Sequence, residues 1–206
     1  MSAPPLIYVV DDDESFRTAL LRLLAVAGFE ARGYASTGAF LLEPPPDRPG
    51  CVLLDIRMPG PSGLDLQEAL QRQGHTLPVI FLTGHADVPS SVRAMKAGAV
   101  DFLTKPVERD TLFEALQRAL ARDANQRAAR GEADSLQARY ASLSPREREV
   151  FERVVAGKLN KQIADELGIA ERTVKAQRAQ VMAKLGVGSA AELGRLAERL
   201  QHLSSG

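Results

Sequence analysis

"LIYVVDDDES", residues 6–15, decides how this chain folds. Five apolar or aromatic residues run straight into Asp11, Asp12, Asp13 and Glu14. A short apolar run bounded by polar residues reads as a strand buried on both faces. Carboxylates crowded at its end oppose one another's ionisation, and burial sharpens the conflict. The stretch therefore requires a positive partner at the strand end, or acids turned into water.

Working outward, apolar runs alternate with helical patterns over the first 120 or so residues. "FEARGY" (29–34), "CVLLD" (51–55), "PVIFLT" (78–83) and "VDFLT" (100–104) repeat the character of "LIYVV" (6–10). Residues 15–27 set Phe16, Leu20, Leu23 and Leu24 on one side of a helix that Gly28 ends. Residues 64–73, 87–97 and 108–121 follow the same pattern. Apolar strands alternating with helices predict an α/β fold with a parallel sheet covered on both faces.

Ligands of such a sheet bind outside the carboxyl ends of its strands. Asp11 and Asp12 end the first strand, Asp55 the third and Thr83 the fourth; Lys105 follows the fifth. Right-handed parallel connections bring these residues to one edge. Three carboxylates there suit a hard divalent cation bound through oxygen, Mg²⁺ with several waters retained. Lys105 adds a fixed positive charge, and the Thr83 hydroxyl can reach a phosphate oxygen. That set predicts phosphoryl transfer onto a carboxylate, which depends on positioning and charge neutralisation. Asp13 and Glu14 read more simply, as acids serving a helix start. His75, His85 and His202 are scattered without metal-ligand spacing.

Composition sets the frame. The chain has 206 residues, 45% hydrophobic and 25% charged, which fits two globular domains. A single cysteine, Cys51, excludes an internal disulfide framework and fits a reducing compartment. No secretory signal and no apolar run near ~20 residues is present, so a cytoplasmic protein without a membrane partner is expected. Net charge is zero, yet residues 1–110 carry 10 Lys/Arg against 14 Asp/Glu and residues 111–206 carry 16 against 12. An acidic front and a basic back predict partners of opposite charge.

Composition changes after residue 122. From Ala124 to Ser135 there is no large apolar residue, which reads as a solvated helical linker over 123–142 with Gly131 as a point of interruption. Leu112, Leu116 and Leu120 before it could support helix pairing with a second copy, but packing on the sheet is the expected use. A second, all-α unit of four short helices starts at "LSPREREV" (143–150), with Ser144 as N-cap, Pro145 at the first helical position and Glu147 completing a capping box. Val150, Phe151, Val154 and Val155 form its apolar stripe, and Gly157 stops it. Asn160 reads as the next cap and Gly168 as a tight turn. Leu193, Leu196 and Leu200 mark the last helix.

At "VVDDD", "LLDIRMPGPSG", "FLTGHADV" and "DFLTKP" the chain resembles the receiver domain of two-component response regulators, over roughly residues 5–122. The resemblance implies a flavodoxin-like sheet of order 2-1-3-4-5 and a receiver over 1–122. It implies Asp55 as phosphoacceptor, with Mg²⁺ bound by Asp12, Asp55 and the backbone carbonyl of Arg57, and by Asp11 mainly through water. Thr83 and Phe102 become a switch pair, Lys105 pairs with the phosphate, and the Lys105–Pro106 bond is expected cis. Residues 143–193 resemble the LuxR-type helix-turn-helix of the FixJ and NarL group, implying a DNA-binding domain over 143–206. "TGHADV" and "VRAMKAGAVDFL" lean toward the FixJ side.

The DNA-reading helix has its own physical signature. Residues 171–185 hold Arg172, Lys175, Arg178 and Lys184 against one acid, Glu171. Val174, Val181 and Leu185 share the face that must be buried. The opposite face carries Arg172, Ala176, Ala179 and Ala183, flanked by Thr173, Lys175 and Gln180. Small alanines permit close approach to base edges and contact with thymine methyls. Lys175 is the expected base contact; Thr173, Gln177, Arg178 and Lys161 are expected at phosphates, which position without specifying sequence. Lys184 completes the basic set. Two departures from the family pattern stand out: Ala170 where many relatives have a capping serine, and Gln177 where histidine is common.

The expected function is a transcription regulator, not an enzyme. A sensor histidine kinase phosphorylates Asp55, and a homodimer then engages double-stranded promoter DNA and RNA polymerase. Two other readings stay open at this point. One is a metal-dependent phosphohydrolase, against which stands Arg57 where a second carboxylate two residues after Asp55 would serve as general acid. The other is a regulator that senses by protein contact without phosphorylation, against which stands the complete acid-plus-lysine set.

Overall fold

The computed structural model describes residues 3–43, 45–84 and 88–204. The chain divides into two compact units, Met1–Arg127 and Ala128–Gly206.

The first unit runs β1 (Leu6–Val10), α1 (Glu14–Val26), β2 (Glu30–Tyr34), α2 (Thr37–Leu42), β3 (Gly50–Asp55), α3 (Gly63–Arg72), β4 (Val79–Thr83), α4 (Val88–Lys96), β5 (Asp101–Thr104) and the start of α5 (Arg109–Ala141). All strand pairs are parallel, in the order β2-β1-β3-β4-β5. This is the α/β sheet expected from the alternating pattern, with α2 an addition.

Side-chain alternation along each strand sorts the core into two layers. Leu6, Tyr8 and Val10 of β1, Val52 and Leu54 of β3, and Val79 and Phe81 of β4 enter one layer with Phe40 of α2, Leu66 and Leu70 of α3 and Ala94 of α4. Ile7 and Val9, Cys51 and Leu53, and Ile80 and Leu82 enter the other with Leu20 and Leu24 of α1 and Leu112 and Leu116 of α5. Covering both faces explains why these strands show no polar alternation in sequence. Cys51 is free and buried.

Helix starts follow local chemistry. Asp13 caps α1, its Oδ1 accepting from the backbone of Ser15 (2.9 Å) and Phe16 (3.0 Å). Ser62 and Asp65 form a reciprocal capping box at α3. Such caps stabilise a helix by about 1 kcal/mol.

Helix α5 passes through Gly131 without a break, so the expected interruption is absent. The expected solvated character of residues 123–142 fails at both ends of that stretch. Asp123 is buried, with Oδ2 accepting from the Gly50 backbone N–H (3.1 Å) and from Arg127 Nε (3.0 Å). Arg127 also donates to Asp47 Oδ1 (2.6 Å) and to the Arg48 carbonyl (2.5 Å). These bonds satisfy a buried charge that would otherwise cost several kcal/mol.

In the second unit, Leu136 and Tyr140 from the end of α5 join the core made by α6 (Pro145–Val155), α7 (Asn160–Leu167), α8 (Glu171–Leu185) and α9 (Ala190–Ser204). Val150, Val154, Ile163, Val174, Val181, Leu185 and Leu193 are its centre. The capping box at Ser144 forms as expected: the Ser144 hydroxyl accepts from Glu147 N (3.3 Å) and Glu147 Oε2 from Ser144 N (2.7 Å). Asn160 is not the cap of α7. It is the first helical residue, and the cap position is Leu159, whose N–H donates to Gln162 Oε1 (2.8 Å). Gly168 (φ 64°) ends α7 in the left-handed conformation that glycine adopts freely. Arg139 of α5 donates to the Leu185 carbonyl (2.8 Å), occupying a C-terminal carbonyl of α8.

Candidate functional site

The carboxyl ends of β1, β3 and β4, with the residue after β5, form the site. Asp11 follows Val10 directly and is fully buried; Asp12 is exposed; Asp55 ends β3 and is buried. Carboxylate oxygens of Asp11, Asp12 and Asp55 lie within 4.8 Å of one another. The Lys105 Nζ stands 2.6 Å from Asp11 Oδ2 and 2.6 Å from Asp55 Oδ2. The remaining oxygens are held by backbone: Asp13 N–H donates to Asp11 Oδ1 (3.0 Å), and Arg57 N–H to Asp55 Oδ1 (3.0 Å).

Burial pushes the Asp11 carboxyl above its ordinary range, against the pull of Lys105. Burial lowers the Lys105 ammonium, but its bonds to Asp11 and Asp55 outweigh this and hold it above its usual value. The opening conflict of charges is thus answered in part by Lys105 itself. Two supports were not read from sequence. Phe16 of α1 places its ring 4.3 Å from Lys105 Nζ, a cation–π contact. Arg17 donates to the Asp11 carbonyl (2.6 Å).

Thr83 ends β4 and is buried. Asp55 is paired with Leu82 in the β3–β4 register, so Thr83 is one residue beyond it on the neighbouring strand. The Thr83 carbonyl accepts from Lys105 N (2.7 Å), and Lys105–Pro106 is cis. Phe102 pairs with Phe81 across β4–β5 and packs half-buried against the first core layer. His85 lies outside the described residues; His75 and His202 stand apart from this site in the sequence and join no group of metal-ligating side chains among the described residues.

An all-oxygen set of three carboxylates matches what hard divalent cations require. The acidic triad is consistent with a metal site.

In the second unit, α7, the turn at Gly168 and α8 make a helix-turn-helix. On α8, Val174, Val181 and Leu185 are buried, while Arg172, Lys175, Ala176, Ala179 and Gln180 are exposed. Thr173, Gln177 and Arg178 are half-buried. Ala170 is the N-cap and makes no side-chain cap bond, its methyl group offering no acceptor. Arg178 donates to Asn160 Oδ1 (3.1 Å), tying α8 to α7. Lys184 differs from the expected set: its Nζ is 2.7 Å from Glu147 Oε2, so this cation is engaged within the unit. Lys161 is exposed on α7.

Comparisons with known proteins agree on both units. The pattern of the family described as "Response regulator receiver domain" matches residues 7–117, and that of "Bacterial regulatory proteins, luxR family" matches residues 141–197. The chain is 44% identical to Nodulation protein W of Bradyrhizobium diazoefficiens, over 97% of this chain and 88% of that protein. It is 45% identical to Transcriptional regulatory protein FixJ of the same organism, over 94% of each chain. Among solved structures it resembles the response regulator StyR, at 46% identity with a TM-score of 0.85, over 96% of this chain and 100% of that one.

Proposed function

The chain belongs to the two-component response regulators with a LuxR-type DNA-binding domain, and from that premise we propose that Asp55 is the phosphoacceptor whose occupancy controls promoter binding. Members of this family are transcription regulators rather than enzymes, and a histidine kinase and DNA are the partners the family implies.

The observation that carries the reading is the position of Lys105 Nζ, 2.6 Å from a carboxylate oxygen of both Asp11 and Asp55. Asp55 Oδ2 attacks phosphorus, an O–P bond forms, and the P–N bond to the kinase's phosphohistidine breaks. Lys105 offers its charge to the arriving phosphoryl oxygens, and the Thr83 hydroxyl donates a hydrogen bond to one of them. The Asp13 and Arg57 N–H groups keep Asp11 and Asp55 aimed at the crevice. Mg²⁺ is the ion proposed for the triad, held by Asp12, Asp55 and the Arg57 carbonyl, with Asp11 acting through water; when bound it neutralises the converging anionic oxygens.

Thr83 and Phe102 form the proposed switch: Thr83 follows the phosphoryl group and Phe102 turns inward, remodelling the face that carries α4 and α5. That face then pairs two chains or releases the DNA-binding domain from inhibition, and paired α8 helices meet two half-sites of double-stranded promoter DNA, where RNA polymerase is recruited. Lys175 is the proposed base contact, with Arg172, Ala176, Ala179 and Gln180 on the same exposed face. Thr173, Gln177, Arg178 and Lys161 are proposed at phosphates, and Lys184 at the edge of the footprint. The working limits are 1–122 for the receiver, 123–142 for the connecting segment and 143–206 for the DNA-binding domain. A reducing, cytoplasmic setting is proposed; no helix among the described residues is long and apolar enough to cross a membrane.

Sedimentation of the full chain with and without beryllofluoride and Mg²⁺ tests this reading. The monomer is expected to shift to a dimer only when both are present, and only with Asp55 intact. Sedimentation indifferent to beryllofluoride contradicts the switch.

A further inference from the structure

At the amino end of β4, the end of the strand away from the acidic site, the first unit has a half-open cavity of ≈ 210 Å³ between α3, the turn before β5 and α5. Leu70, Leu77 and Val79 give it an apolar floor. Gln67 on its wall is only 3% exposed. The Gln67 Nε2 donates to the Ala97 carbonyl (2.9 Å), which fixes the orientation of the amide. Its Oε1 is buried and receives no hydrogen bond among the described residues, and the same is true of Gln126 Oε1 from α5.

An acceptor left unpaired in the interior costs about 1–3 kcal/mol, and folded proteins leave few of them. Gln67 and Gln126 both line this cavity, so each contributes an acceptor that a guest can satisfy. Arg122 stands on the same wall. One of its N–H groups donates to the Gly98 carbonyl (3.0 Å), and a guanidinium has five donors in all. A guest that donates to the two amide oxygens, presents an anionic or acceptor group to Arg122 and lays hydrocarbon on the floor matches these groups. The space equals about seven waters at ~30 Å³ each and falls below the ~300 Å³ of pockets that take nucleotides or drug-sized ligands.

We propose that this cavity binds a small aliphatic α-amino acid, with its ammonium at Gln67 and Gln126 Oε1 and its carboxylate at Arg122. A guest there bridges α3 and α5 within the first unit. The site shares no residue with the acidic crevice, so its fate is separate from that of the phosphorylation reading.

The test is titration of the ¹⁵N-labelled full chain with L-valine, alongside isovalerate, which lacks the ammonium, and isobutylamine, which lacks the carboxylate. L-valine is expected to shift the amide resonances of Gln67, Ala97, Gly98 and Gln126, and to bind at least about tenfold more tightly than either half-molecule. Arg122→Leu and Gln126→Leu are each expected to weaken binding about tenfold; Arg122 is exposed, so its loss leaves the fold intact. Absent shifts, half-molecules that bind as well as L-valine, or variants that bind like the native chain overturn the proposal. So does a crystal soaked in L-valine that carries ordered water only at the two amide oxygens.

Discussion

The Gly63 backbone lies so close to Asp55 that a Cβ on residue 63 would stand 2.2 Å from the Asp55 carbonyl oxygen. Gly63 N–H also donates to the Ile56 carbonyl (3.0 Å). The start of α3 is thus seated on the strand end that presents the Asp55 carboxylate. Gly63→Ala forces backbone apart and is expected to cost about 1–3 kcal/mol. Gly131 is the contrasting case, in helix α5 with nothing near its missing Cβ. Gly131→Ala is expected to stabilise by roughly 0.5–1 kcal/mol. Urea unfolding of both variants checks the pair; equal and small effects would contradict the close approach at Asp55.

Tyr8 puts its hydroxyl into the core. The side chain is almost fully buried between Tyr34 and Phe40, and its oxygen has no hydrogen-bond partner among the described residues. Tyr8→Phe removes an unsatisfied polar atom while keeping the ring contacts. Stability is expected to be unchanged or raised by up to about 1 kcal/mol. A clear fall in the denaturation midpoint would mean that the hydroxyl has a partner.

Glu147 ties three things together: the Ser144 cap, the start of α6 and Lys184 of α8. The hydrogen bond from Lys184, then that from the Ser144 backbone, holds its carboxyl below its ordinary value. A carboxyl depressed in the folded chain stabilises it above the unfolded value, near 4.5. That contribution is lost as pH falls through the lower folded value. The native chain is therefore expected to lose its stability advantage over Glu147→Gln as pH drops below about 4.5. Thermal unfolding of both across acid pH reads this directly; a constant difference would contradict it. Lys184→Met should likewise lower stability more than it lowers DNA affinity.

The α8 face separates two kinds of DNA contact. Arg178→Ala removes a proposed phosphate contact and should weaken binding to all duplexes alike, reducing the slope of log affinity against log salt by about 0.9. Lys175→Ala removes the proposed base contact. It should cost about 1–3 kcal/mol of discrimination between a duplex selected from a random pool and a scrambled one. Binding assays over a range of salt distinguish the two. A Lys175 variant with unaltered discrimination would remove that residue from the readout.

Much of the molecule was readable because its signals are local. Two-sided burial made the strands continuous apolar runs, and their polar last residues named Asp11, Asp12 and Asp55 at one crevice. Ser144 with Glu147 announced a helix start within four residues. Other features depend on distant partners. Asp123 resembles any acid of a charged helix until the Gly50 N–H, 73 residues away in sequence, is placed on it. Lys184 shares the composition of a basic face, and only the fold turns it to Glu147. Helix α2 is six residues long, too short for a periodic pattern to emerge. Phe16 read as core, and its ring also faces Lys105.

Asp55 is the residue proposed to carry phosphorus. Incubation of the native chain and of Asp55→Asn with a radiolabelled phosphodonor and Mg²⁺, followed by peptide mapping, tests it most directly. Label is expected on the peptide containing Asp55 in the native chain and nowhere in the variant. Label of equal strength in the variant, or native label mapped to another peptide, would contradict it.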